Sequence, residues 1–101
     1  MANRIREALA GEKVEEKQMF GSLGFMVNGK LCVCVKSNEV LYRLSPEDFE
    51  EAIIRKGCRP MIQSGRVAKG WVFIDSNQLQ ESDDFQKWLN KAISFNKLIK
   101  G

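Results

Sequence analysis

Cys32 and Cys34 flank Val33 in the run Leu31-Cys32-Val33-Cys34-Val35, and Cys58 is the third cysteine of the chain. Residues two apart on a strand project from one face, so these two thiols are expected side by side. A metal there would need a third and a fourth ligand, and only Cys58 remains to offer a thiolate. Structural zinc is usually held by four Cys or His, and this chain has no histidine, so a carboxylate or water would have to complete the shell. A free cysteine more often behaves as a small buried hydrophobe. Core packing is the reading taken here, with no metal and no cofactor expected.

The lack of histidine also removes Ser-His and Cys-His nucleophile pairs and the imidazole proton shuttle. Catalysis would fall to carboxylates, lysine, tyrosine or thiols. The acidic pairs Glu15-Glu16, Glu50-Glu51 and Asp83-Asp84 fall on expected solvent faces or helix starts, where the helix dipole favours acids. None is flanked by the apolar pocket that would raise a pKa. No catalytic residue is assigned, and the chain is not expected to be an enzyme.

Two sets of basic residues are candidates for binding. Arg55, Lys56, Arg59, Arg66 and Lys69 lie between Arg55 and Gly70 with no acid among them, and Trp71 follows. Cations interleaved with an aromatic can track a phosphate backbone and stack a base. The plainer alternative is a solvated loop whose charges offset Glu47, Asp48, Glu50 and Glu51. That alternative is preferred, since no recognised nucleic-acid motif accompanies the patch, and Ser64-Gly65-Arg66 is too short to be a phosphate loop. Arg43 is the other candidate. It is expected to face Cys32 and to share a side with Phe25 and Cys34. There it either pairs with a carboxylate or offers its planar fork to an anion or partner.

The elements that must position these residues can be read along the chain. Its 101 residues suggest one domain, and 44% hydrophobic with 29% charged residues is ordinary for a soluble globular protein. No run approaches the length of a membrane span, and Met1 to Glu7 lacks the apolar core of a signal peptide. With three cysteines and no leader, a cytoplasmic protein with reduced thiols is expected. The net charge of +3 is weak support for nucleic acid as a partner.

Ile5, Ala8 and Leu9 have helical spacing, with Gly11 as a stop. Val14 to Phe20 reads as extended. Asn28-Gly29 between apolar runs signals a tight hairpin, which pairs Val27 with Lys30, Met26 with Leu31, Phe25 with Cys32, and Gly24 with Val33. Met26, Leu31, Val33 and Val35 then share one face; Leu23, Phe25, Val27, Cys32 and Cys34 share the other. Both faces are apolar, so the hairpin belongs inside a sheet. A turn at Ser37-Asn38 returns Val40 to Leu44 as a third strand. Ser45-Pro46-Glu47-Asp48 starts a helix that Gly57 closes, and Pro60 falls in the next loop. Met61 to Gln63 and Gly70 to Asp75 read as two more strands. A last helix begins at Ser82, with Phe85, Trp88, Leu89, Ala92, Ile93 and Phe95 as its apolar arc. The expected class is α+β, an antiparallel sheet of about five strands with helices packed on it, in the order α-β-β-β-α-β-β-α.

Met19-Phe20-Gly21-Ser22-Leu23-Gly24-Phe25-Met26, Asn28-Gly29-Lys30, Leu41-Tyr42-Arg43-Leu44, Arg59-Pro60-Met61 and Lys69-Gly70-Trp71-Val72 occur in that order. Together they resemble the N-terminal domain of the TfoX/Sxy competence-regulator family, over nearly the whole chain. Ser22 stands where the family often has a second glycine. The chain ends at Gly101, where the longer regulators continue into a C-terminal domain, so a stand-alone copy is expected. The resemblance implies the same α+β architecture and a regulatory role, and it implies no catalytic residues.

The leading expectation is therefore a non-catalytic regulatory or protein-interaction module with a protein partner. The alternative is a nucleic-acid-binding domain using segment 55–71. Arg43, Arg55, Lys56, Arg59, Arg66, Lys69 and Trp71 are the candidate contact residues in either case.

Overall fold

The computed structural model describes residues 2–19, 21–79 and 82–99. Asn28 and Gly29 both adopt positive φ, 53° and 80°, the conformation that a two-residue hairpin turn demands. They join strand β2 (Ser22–Val27) to β3 (Lys30–Val35). Pairing begins as the turn dictates, Val27 with Lys30 and Met26 with Leu31, and then shifts: Phe25 faces Val33 and Gly24 faces Cys34. Cys32 is the extra residue of a β-bulge. The register expected from the turn alone therefore fails beyond Met26. Phe25 does not face Cys32, and Gly24 does not face Val33.

The bulge also reassigns the faces. Val33 and Val35 join Leu23, Phe25, Val27 and Cys32 against the main core, while Cys34 belongs to a separate cluster on the other side of the sheet. The two thiols expected side by side are thus on opposite faces. A bulge lets consecutive residues be buried together, and an apolar run such as Leu31 to Val35 gives no sign of where that happens.

Six strands form the sheet, in the order β1-β2-β3-β4-β6-β5, with every neighbouring pair antiparallel. The additional strand is β1 (Val14–Met19), the run read as extended, which pairs with β2 along its whole length. β4 (Glu39–Arg43) lies between β3 and β6 (Arg66–Asp75). β5 (Cys58–Gln63) is the far edge and contains Pro60, placed in a strand here and not in a loop. An edge strand tolerates proline because one side of its ladder needs no donor.

Helix α1 (Ala2–Ala8) matches the expected short helix. Helix α2 (Pro46–Ile53) starts as its sequence requires: the Ser45 hydroxyl accepts from the Asp48 amide at 3.2 Å, and proline occupies the first turn. It stops before Gly57, leaving Ile54 83% exposed and Lys56 in the connection to β5. A short 3-10 helix (Ser76–Leu79) precedes helix α3 (Ser82–Leu98).

The core holds Ile5 and Leu9 of α1, Phe49 and Ala52 of α2, and Phe85, Trp88, Leu89 and Ala92 of α3. These meet Phe25, Val33, Val40, Tyr42, Val72 and Ile74 of the sheet. All three described helices therefore pack on one face. No described helix is long and apolar enough to cross a membrane.

Candidate interaction surface

The opposite face carries its own small cluster. Cys34, Leu41 and Phe73 are its buried members, with Met61 and Trp71 half-buried against them, and all five come from strands. The register lines them up: Lys17 faces Gly24, Gly24 faces Cys34, Cys34 faces Leu41, Leu41 faces Phe73, and Phe73 faces Arg59. One row thus crosses the whole sheet, apolar in the middle with a cation at each end. The next row along β4 and β6 pairs Arg43 with Trp71.

The aromatic rings of this face lie under the protein's own cations. Lys36 Nζ is 4.9 Å from the centre of the Phe73 ring, and the Arg59 guanidinium is 4.4 Å from it. Arg43 lies 5.2 Å from the Trp71 ring. Such cation–π contacts are worth about 0.5–1 kcal/mol where solvent reaches them. They also lay the aliphatic stems over the cluster while the charged heads stay in water. That is how Phe73 is only 7% exposed on a face that no described helix covers.

Arg43, the last residue of β4, also approaches Phe95 of α3, 5.8 Å from ring centre to guanidinium. It bridges the sheet and α3 at one end of the molecule. Among the described residues it has no carboxylate partner, so of the two alternatives the ion pair is not what holds it. Two rings do. It shares its face with Cys34 and Leu41 and not with Phe25. The bulge that displaces Cys32 accounts for the difference.

The five cations of segment 55–70 go to three places. Arg55 pairs with Glu51 at 3.1 Å and lies 5.2 Å from the Trp88 ring, on the helix side. With Lys56, Cys58, Gln78 and Asp84 it lines a cleft of 190 Å³. Arg59 is on the uncovered face, paired with Glu39. Arg66 and Lys69 belong to the β5–β6 hairpin, where it runs past the Arg43–Trp71 pair that ends β4. The segment thus forms two strands and not a loop, and the structure does not bring its cations into one groove. Arg43 and Trp71 do come together, with Arg59 two rungs away across Phe73.

The sequence marks none of Lys36, Glu39, Met61 and Phe73 as a contact residue. The alternation of Trp71 with Phe73 was the available signal. It was masked because Val72 and Ile74 between and beyond them are equally apolar.

Burial shifts two of the thiols. It pushes Cys32 up to about 12, with the nearby Glu12 adding to the rise, and it raises Cys58 as well. A thiolate is the nucleophile and the metal ligand, so burial disfavours Cys32 in either role near neutral pH. Among the described residues no cluster of three or more cysteines and carboxylates is placed to hold a metal.

A model of the TfoX N-terminal domain family matches residues 7–96, most of the chain. No curated protein and no solved structure gives a significant match.

Proposed function

The chain belongs to the TfoX N-terminal domain family, and on that premise we propose that it is a non-catalytic regulatory module that works by binding another protein. The observation that carries this reading is the uncovered sheet face. Its apolar row, Cys34, Leu41 and Phe73, sits beneath cationic heads on one side of a sheet whose other side packs against the described helices. Carboxylates and cations alternate there, with Glu39 paired to Arg59 and facing Asp75 across the ladder. Mixed charge around an apolar centre suits a protein surface better than a uniformly charged polymer. The division of Arg55, Lys56, Arg59, Arg66 and Lys69 among three regions weakens the nucleic-acid alternative. Counterion release needs several cations on one phosphate track.

A photo-cross-linking amino acid at Met61, on this face, and at Gln86, exposed on α3, tests the reading in native cell extract. Cross-linking from Met61 to a discrete protein, absent from Gln86 and competed by unlabelled chain, is the expected result. Equal cross-linking from both positions, or adducts removed by nuclease, would reject it.

A further inference from the structure

Resting on that reading, we infer that the partner of the uncovered face is an acidic protein segment in extended conformation, whose carboxylates are taken by Arg43 and Lys36. The rings of this face are not bare platforms. Phe73 is roofed by Lys36 and Arg59, and Trp71 by Arg43. A base-stacking site needs exposed ring faces, whereas here a partner meets ammonium and guanidinium groups. Stacking restrains a guanidinium while leaving the edge of its planar fork free to take a carboxylate through two parallel bonds.

Not all of these cations are spoken for. Arg59 holds Glu39, while Arg43 and Lys36 pair with no carboxylate among the described residues. The rings beneath them supply the spacing. Lys36 lies on Phe73 and Arg43 on Trp71, and these rings are two residues apart on β6, about 6.6 Å along the strand. An extended chain with acids at alternate positions has the same repeat. Its intervening side chains would point away from the cations. Asp75, facing the Arg59-paired Glu39 across the β4–β6 ladder, would repel a continuous phosphate backbone, while a peptide can place a neutral residue opposite it. The complementary charge is therefore carboxylate at intervals.

The test is fluorescence anisotropy with a short labelled peptide of alternating Glu and Thr. A matching Gln–Thr peptide and an oligothymidylate serve as comparisons, at about 0.15 M salt. The acidic peptide should bind and the Gln peptide should not. Arg43→Gln and Lys36→Gln should each weaken binding by about tenfold, while Arg55→Gln, on the helix side, should leave it unchanged. Circular dichroism of each variant checks folding, and Lys36→Gln serves if Arg43→Gln fails to fold. Equal binding of the two peptides, or binding indifferent to both variants, would overturn the inference. So would absence of peptide binding while Met61 still cross-links a protein, an outcome that spares the interaction-module reading. Oligothymidylate bound more tightly than the acidic peptide, with no protein cross-link from Met61, would overturn both.

Discussion

The side-chain amide of Asn96 donates to the main-chain carbonyl of Val27 at 3.2 Å and lies 3.5 Å from that of Lys30. It ties the last turns of α3 to the Asn28–Gly29 hairpin, and Lys30 Nζ returns the link by donating to the Ile99 carbonyl at 2.6 Å. Asn96 is 2% and Val27 0% exposed, so both ends of the Asn96–Val27 bond are out of water. Asn96→Ala should cost about 1–3 kcal/mol, because the carbonyl it serves stays buried without its donor. Asn96→Asp should cost more at neutral pH, since a carboxylate would face two carbonyls. That excess should shrink in acid, where a protonated carboxyl regains a donor. Denaturant melts at neutral and acidic pH measure both effects, and an Asn96→Ala melt matching wild type would remove the tie.

Trp88 anchors α3 from the other end of its apolar arc. It is 3% exposed, packed in the core, with Arg55, Lys87 and Lys91 at 5.2, 5.1 and 6.0 Å from its ring. Trp88→Ala should destabilise the fold by about 3–5 kcal/mol through lost transfer energy and a residual cavity. Arg55→Ala, which removes only an exposed pair and a stacking contact, should cost less than about 1 kcal/mol. Urea melts of the two variants should differ accordingly. A loss under about 0.5 kcal/mol for Trp88→Ala would fit only a surface position.

Several of these arrangements are legible in the chain. Asn28-Gly29 specifies its hairpin, Ser45-Pro46 its helix start, and the spacing of Phe85, Trp88, Leu89 and Ala92 the buried side of α3. These signals are local and steric. The bulge at Cys32 is not legible, because every residue around it is apolar and either register buries well. β1 hides for the opposite reason: Val14-Glu15-Glu16-Lys17-Gln18-Met19 is polar, as befits an edge strand that must not recruit another sheet. The candidate site was half visible. Arg43, Arg59 and Trp71 stood out by type. Lys36 and Phe73 did not, since only the placement of the helices reveals which face of Trp71-Val72-Phe73-Ile74 stays open.

Gly70 sits where β6 leaves its pairing with β4. Its φ is +92°, and a Cβ there would come 3.0 Å from the Leu44 carbonyl oxygen. Its own carbonyl accepts from the Leu44 amide at 2.6 Å, so the neighbour has little freedom to withdraw. Gly70→Ala should therefore cost about 1–3 kcal/mol of backbone strain. Gly11→Ala is the control, because a Cβ at that position meets nothing within 4 Å. Thermal melts should place Gly70→Ala well below Gly11→Ala, and equal midpoints would refute the close approach.

Cys32 makes the stability depend on alkaline pH, with a sign that follows from its burial. In the native fold its thiol is pushed up to about 12, while in the unfolded chain it titrates near its ordinary value of about 8.5. The native state therefore keeps a proton that the unfolded state loses as pH rises through that range. Below about pH 8.5 the contribution is fully present; above it, stability falls by up to about 1.4 kcal/mol per pH unit. Burial also raises Tyr42, whose unfolded counterpart ionises near pH 10, so the clean window lies between roughly pH 8.5 and 10. Cys58, also raised, is common to wild type and Cys32→Ala and cancels in their comparison. Over that window wild type should lose stability more steeply than Cys32→Ala in denaturant melts. Alkylation of the native protein should reach the half-buried Cys58 before Cys32. Parallel pH profiles, or Cys32 labelled as fast as Cys58, would mean that the bulge does not bury the thiol beneath the helices.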